Sequence, residues 1–319
     1  MNQTLDELYF LRKVELFYRN VFFYVNLSIV PIGLILNSIS LVIFMSKRFN
    51  KAYFRNYYIL ITLFDMLTLL AFFIHLFPIG INIDLHLTSN LNCKLTNYYL
   101  RIISKMSIWI NVILTVDALI KLKYPKNELF QKKHTLTFLV LGLFLIFHIV
   151  NLVNLWFRVE MSKMSGSEVL VCTTSPKLLL IRDFLSQMFR IHLPYFLIYI
   201  LNMFLMKHLR KFKQRYVFKN KFFSILKMNF FYCFNASPIA VCLIIAKFSN
   251  NNAYFKGTMY ILYALASSWN LFNHSFSFFM NLKYNWVFRR QFYDLVSRLR
   301  RKNSFQLANI QIKFYKVNF

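Results

Sequence analysis

Seven apolar stretches, each about long enough to cross a bilayer, are separated by gaps that alternate between strongly basic and charge-poor. A hydrocarbon core of about 30 Å needs ~20 mostly apolar residues per helix. Backbone hydrogen bonding inside lipid leaves helices as the spanning element for stretches of this length. The stretches are Val21–Met45, Tyr57–Ile81, Leu95–Ile120, Leu136–Phe157, Ile181–Met206, Phe222–Ala246 and Tyr254–Leu282. The pattern predicts an all-α membrane protein, a seven-transmembrane helix bundle. Of 319 residues, 58% are hydrophobic, and only 5 are Gly and 6 Pro. Seven spans use nearly the whole chain, so no second globular domain, flexible linker or internal repeat is expected.

A formal charge of +28 would point to nucleic acid in a soluble protein, but its distribution argues for a membrane. The first, third and fifth gaps and the segment after the last span, with Lys227 just inside the sixth span, hold 26 of the 39 basic residues, against only Glu128 and Asp294 as acids. Lys/Arg enrichment of short loops marks the cytoplasmic side. The amino terminus is therefore expected outside and the carboxyl terminus inside a multi-pass plasma-membrane protein. Its basic inner face would attract anionic lipid headgroups. Nucleic acid is not an expected partner. Residues 1–20 are polar and lack the shape of a cleavable signal peptide, so the first span is expected to direct insertion. Asn2-Gln3-Thr4 is a glycosylation sequon on the same side.

Cysteine usage agrees. Cys93 falls at the outer start of the third span and Cys172 in the outer gap after the fourth, both facing the oxidising compartment, so a disulfide is expected between them. Cys233 and Cys242 lie within the sixth span as buried thiols.

Ionisable and amide side chains at membrane depth are costly and are functional candidates by default. Asn37, Asp65, Asn273, Ser277 and Asn281 fall within the first, second and seventh spans and must converge on one another. Such a carboxylate ringed by amides and hydroxyls could hold a sodium ion, or form an interhelical clamp around a neutral Asp65. On the third span, Arg101, Ser104 and Lys105 share one face by i, i+3, i+4 spacing, and Arg190 and His192 occupy the outer half of the fifth. If these faces converge, they form a cationic pocket for an acidic or carboxylate-bearing ligand, or for peptide carbonyls. The alternative is that Arg101 and Lys105 snorkel outward or pair with Asp84, Glu160, Glu168 or Asp183. After the seventh span, Trp286, Phe288, Phe292, Leu295, Val296 and Leu299 alternate with Arg289, Arg290, Arg298, Arg300 and Arg301 at roughly helical intervals. That predicts a short amphipathic eighth helix over residues 283–302 on the inner membrane surface, with a cytoplasmic tail over 303–319.

Several short motifs occur in one order. Gly33-Leu34-Ile35-Leu36-Asn37, Ile61-Thr62-Leu63-Phe64-Asp65 and the 24 residues from Cys93 to Asp117 are followed by Asp117-Ala118-Leu119-Ile120-Lys121-Leu122-Lys123-Tyr124-Pro125 and Pro194. Asn273-His274-Ser275-Phe276-Ser277-Phe278-Phe279-Met280-Asn281 and Phe288-Arg289-Arg290-Gln291-Phe292 complete the series. Together they resemble the rhodopsin-like G-protein-coupled receptor family, in its divergent invertebrate neuropeptide and chemosensory forms, over about residues 20–300. The resemblance implies an extracellular ligand (a small peptide or chemical cue) and a heterotrimeric G protein as partners. It implies that Asp117, Ala118, Tyr124, Pro125, Lys207 and Arg210 face that G protein. The chain differs from the family at Ala118, where an arginine is usual, at Ser277 and Asn281 in place of Asn and Tyr, and at Cys233-Phe234-Asn235-Ala236-Ser237-Pro238 in place of CWxP. Weak or unconventional coupling is the corresponding expectation.

No HExxH, GxSxG, P-loop or other enzyme constellation appears, and no enzymatic activity is expected. A retinal Schiff base is disfavoured because Lys256 stands at the outer mouth of the last span. The remaining alternatives are a seven-helix ligand-gated ion-conducting chemosensory protein and a signalling-deficient receptor.

Overall fold

The computed structural model describes residues 5–47, 49, 54–81, 83, 85–124, 133–164, 167–211, 216–247 and 253–298. The sequon at Asn2, Pro125 and the 303–319 tail lie outside the described residues. The helices are α1 (Leu5–Met45), α2 (Arg55–Gly80), α3 (Asn90–Lys123), α4 (Lys133–Asn151), α5 (Pro176–Gln187), α6 (Leu193–Lys211), α7 (Tyr216–Lys247) and α8 (Ala253–Tyr284). A further helix, α9, covers residues 286–298. An antiparallel hairpin of β1 (Arg158–Met164) and β2 (Ser167–Thr173) lies between α4 and α5, with Val159 opposite Cys172. All seven apolar stretches fall on these elements.

Five segments are long and apolar enough to cross a membrane: Tyr9–Met45, Arg55–Gly80, Asn90–Lys123, Thr135–Trp156 and Pro176–Arg210. This composition is compatible with a multi-pass membrane protein. The remaining two long helices, α7 and α8, have 32 residues each but carry Lys, Asn, Ser and His along their length. The solvent rule of a soluble core is reversed. Ile74, Phe138, Phe196 and Phe230 point outward and are more than half exposed, while Asn37, Asp65, Asn111, Thr115 and Asn229 have no exposed surface.

Packing closes a ring in which α1 touches α2, α2 touches α3, α3 touches α6, α6 touches α7, and α7 and α1 both touch α8. In α3, 72% of the apolar window is buried, against 17% in Thr135–Trp156, so α3 is the axis and α4 hangs on its outer side. Contacts to α3 hold α4 there: Tyr98 Oη lies 2.6 Å from His148 Nδ1, and Lys105 Nζ donates to Asn151 Oδ1 at 3.3 Å. Close approach of α1 and α8 depends on Gly33. A Cβ there would run into the Ser275 hydroxyl and sit 2.8 Å from Leu69 Cδ1 and 2.9 Å from Ser275 Cβ.

Three features depart from the sequence expectation. The first helix starts at Leu5 rather than near Val21, reaching roughly 60 Å in length. Its polar first half is held by packing on α8, where the Phe10 ring lies tilted against Tyr254 at 4.9 Å and, with Val14, covers Gly257. The gap carrying Cys172 is a hairpin; the alternation of Val159, Glu160, Met161 and Ser162 before a Ser-Gly pair, with Val169 and Val171 after it, was the signal for it. The fifth stretch is broken by one wide π turn at Met188–His192. There the Leu193 N–H bonds Met188 O, five residues back, and Pro194 has no N–H to offer Phe189. The Trp109 indole fills that gap, donating to Phe189 O at 2.8 Å.

Two substitutions test this packing by thermal unfolding of the protein in lipid nanodiscs. Gly33→Val is expected to cost about 1–3 kcal/mol by overpacking the α1–α8 contact. Trp109→Phe keeps the ring but orphans the Phe189 carbonyl, with an expected loss of about 1–3 kcal/mol.

Candidate functional site

The hairpin and α3 meet at a disulfide. Cys93, fully buried in the first turn of α3, bonds Cys172 of β2. Asn97, one turn on, donates to Cys93 O at 3.0 Å and to Cys172 Sγ at 3.1 Å. Val159 N–H donates to Asn90 Oδ1 at 2.7 Å, which ties the other strand to the same helix end. The hairpin is thereby fixed across the disulfide end of the bundle.

Beneath it opens a cavity of about 740 Å³ between α1, α2, α3, α5, the π turn, α7 and α8. Its walls are aromatic and apolar, with Tyr18, Phe72, Met259 and Tyr260 among them, and its charged groups are Arg101, Arg182, Asp183, Arg190 and Lys256. Its floor is polar: Ser104, Ser267 and Asn270. The π turn shapes it, because the extra residue per turn rotates Arg190 and Ile191 into the cavity. His192, next in the chain, lines a separate apolar groove with Tyr195, Phe196 and Cys233.

Of the five residues expected to form a cationic pocket, Arg101, Ser104 and Arg190 come together in this cavity. Lys105 and His192 do not. Lys105 follows Ser104 by one residue, which turns it about 100° around the helix toward α4. There its ammonium, with no exposed surface, meets Asn151 and lies 5.9 Å from the Phe147 ring. The α4-side amide pair of Asn151 and Asn154 was not apparent from spacing, because α4 ends at Asn151 and Asn154 sits in a short 3-10 turn.

One turn below the cavity floor lies the buried carboxylate. Asp65 Oδ1 accepts from Ser107 Oγ at 2.6 Å and lies 2.7 Å from His274 Nδ1. The Tyr232 hydroxyl donates to Oδ2 at 3.4 Å. Asn37 Nδ2 donates to His274 O at 2.8 Å, and Ser277 Oγ donates to Asn37 Oδ1 at 3.1 Å. Asn235 Nδ2 donates to Asn273 Oδ1 at 3.3 Å. The network thus joins α1, α2, α3, α7 and α8. Further along, a separate set joins α3, α6 and α7: Asn229 donates to Thr115 Oγ1 at 2.8 Å and to Asn202 Oδ1 at 2.9 Å. Asn281 stays local, donating to Ser277 O of its own helix at 2.9 Å.

Of the five residues expected here, Asn37, Asp65 and Ser277 therefore share the network with Ser107, Tyr232 and His274, while Asn273 pairs apart from it with Asn235. His274 is the partner that sequence reasoning overlooked, although it lies inside the quoted seventh-span motif. Two hydroxyls donate to Asp65 and the His274 ring nitrogen lies against the same carboxylate, which leaves few oxygen lone pairs turned toward a common point. This set fits a self-satisfied carboxylate rather than a sodium ion.

At the opposite, basic end, aromatic rings close the bundle. Phe44 stacks on Tyr58 at 5.2 Å and meets Phe288 of α9 at the same distance; Phe278 contacts Phe288 and Phe292. Ala118 is fully buried in this cluster and Asp117 is almost so, whereas Tyr124, Lys207 and Arg210 are on the surface. Arg289 and Arg290 are exposed on α9, opposite the buried Phe288. No family model and no curated protein matches this chain.

The network predicts an ordering of variants in thermal unfolding. Asp65→Ala leaves the His274 ring and Ser107 without their acceptor and is expected to cost about 3–5 kcal/mol, the scale of a broken buried pair. Asp65→Asn retains an acceptor oxygen and is expected to cost less than half of that.

Proposed function

We propose that the chain is a divergent rhodopsin-like receptor of seven membrane-spanning helices. It binds a small peptide or chemical cue in the cavity beneath the hairpin and signals to a heterotrimeric G protein at the basic end. The observation that carries this reading is vertical continuity. Ser104 on the cavity floor stands three residues from Ser107, which bonds Asp65, and Asn270 stands three and four residues from Asn273 and His274. One helical turn, about 5 Å, therefore separates a bound ligand from the network that joins five helices. A ligand that prefers one arrangement of the cavity shifts the arrangement of that network by its difference in affinity.

The positive-inside charge pattern supports placing the disulfide end outside and the basic end in the cytosol. On this reading α7 and α8 also cross the membrane, since Asn229, Asn235, Ser268, Asn273, His274 and Ser277 are buried in the bundle. α9 lies along the inner surface, with Phe288 and Phe292 anchored inward and Arg289 and Arg290 toward lipid phosphates. Ala118 gives a physical reason for weak coupling: the family's arginine position is here a methyl group inside an aromatic plug, with no charge to offer a G protein. The competing reading, an ion-conducting protein, needs a continuous polar path, and the cluster of Phe44, Tyr58, Phe222 and Phe288 blocks the basic end.

The test is a G-protein dissociation assay in cells expressing the full chain, challenged with peptide and metabolite libraries. A ligand-evoked signal that disappears in cells lacking Gα subunits is expected; a ligand-evoked current that persists in those cells overturns the reading in favour of conduction. At matched surface expression, Ala118→Arg is expected to raise the response severalfold, and equal responses would refute weak coupling.

A further inference from the structure

The charge inside the cavity does not balance. Asp183 is the only acid among its described lining residues, and it is already engaged: Arg182 Nε donates to its Oδ1 at 2.8 Å and Arg182 Nη2 lies 2.6 Å away. Arg182 is further held 4.5 Å over the Phe157 ring. Arg101 and Arg190 remain. Neither makes a hydrogen bond or an ion pair with any described residue; Arg190 has only the Phe72 ring at 5.9 Å. Both are more than half buried, and Arg101 lies within Coulombic reach of Arg190, of Arg182 and of Asp183, the last already paired with Arg182. A guanidinium withdrawn from water without a counter-charge is costly, and two that repel each other more so.

The neighbouring hydroxyl points the same way. Ser104 is 8% exposed, lines the cavity one turn below Arg101, and its Oγ has no partner. A donor without an acceptor beside two forks of N–H groups without acceptors is a site short of anionic oxygen. Guanidinium forks match the planar, two-oxygen geometry of a carboxylate. The rest of the wall, Phe72, Met259, Tyr260 and Tyr263, asks for an apolar body.

We propose that this cavity binds an organic carboxylate with an aromatic or aliphatic body, its carboxylate held between Arg101 and Arg190 and reaching Ser104. The proposal rests on the receptor reading only for the cavity's access from outside, and it names the ligand class for that site. Asp183 acts as a built-in competitor, holding Arg182 away from the ligand and repelling the same charge.

The experiment measures binding to the full chain in lipid nanodiscs, with no G protein present. The probes are 4-phenylbutyrate and N-acetylphenylalanine, the second standing for a peptide carboxyl terminus, each beside its uncharged amide. Either acid is expected to bind saturably while both amides do not. Arg101→Met and Arg190→Met should each weaken binding about ten- to a hundredfold, the scale of one lost set of charge-assisted hydrogen bonds. Asp183→Asn should tighten it, a gain that misfolding cannot imitate. In the absence of ligand, Arg101→Met should unfold at a higher temperature than the parent chain, because it retains the stem and removes an uncompensated charge. Equal binding of acids and amides, preference for phenyl phosphate over both carboxylates, or an Arg101→Met chain that is less stable and binds as before would each overturn the proposal. A chain that binds the acids yet never releases a G protein refutes the receptor reading alone.

Discussion

A carboxylate with no exposed surface, Asp65, sets the terms on which these helices can pack. An ionised or neutral acid in that position cannot leave the bundle interior without facing hydrocarbon, so other helices must bring donors to it. Ser107 of α3, Tyr232 of α7 and His274 of α8 do so. Those contacts fix the rotation of three helices about their axes. The rotation of α8 in turn presents Ser277 and the His274 carbonyl to Asn37 of α1, where Gly33 and Ser275 let the two backbones approach. Once these helices are locked, the outward faces need only be apolar, and they are.

The same logic orders the two ends. At the disulfide end the chain must hold a cavity open against collapse, and it uses rigid covers: a two-stranded hairpin, a disulfide to the first turn of α3, and a π turn braced by the Trp109 indole. Each is a local device, and together they leave cationic groups facing a hollow instead of each other's counter-charges. At the basic end nothing is held open. Rings from α1, α2, α7, α8 and α9 fill the space, and the small Ala118 packs among them. The bundle is hollow at one end and plugged by rings at the other, with a polar network between.

The legible parts of the site followed from periodicity and cost. Arg101, Ser104 and Arg190 could be brought together because they fall on inward faces of helices near one depth, and Asn37, Asp65 and Ser277 because lipid cannot solvate them. Lys105 was assigned to the same face as Arg101 by i, i+4 spacing, but the cavity wall is narrower than that face, and the buried Asn151 of α4 drew the ammonium aside. His192 was misplaced for a different reason: it shares the depth of Arg190, but residues two apart on a helix point about 200° apart, so the two face different sides. His274 lay in plain view within an apolar motif, and only the depth of Asp65 on the facing helix identified its role.

By itself the sequence determined the helical segments and the disulfide partners, and it set the expectations of a membrane protein, of its sidedness from basic gaps and of the depth of the costly polar residues. Each of these is a property of spacing along one chain measured against the thickness and polarity of a bilayer. The tertiary structure alone decided which helices are neighbours, that α3 is the axis and α4 the outlier, and that the hairpin roofs a cavity. It also decided that two arginines of the cavity have no acid in ion-pair contact among the described residues. Those depend on the rotation and closeness of helices far apart in sequence, which are set by small residues, an inserted turn and shared hydrogen bonds that no local pattern records.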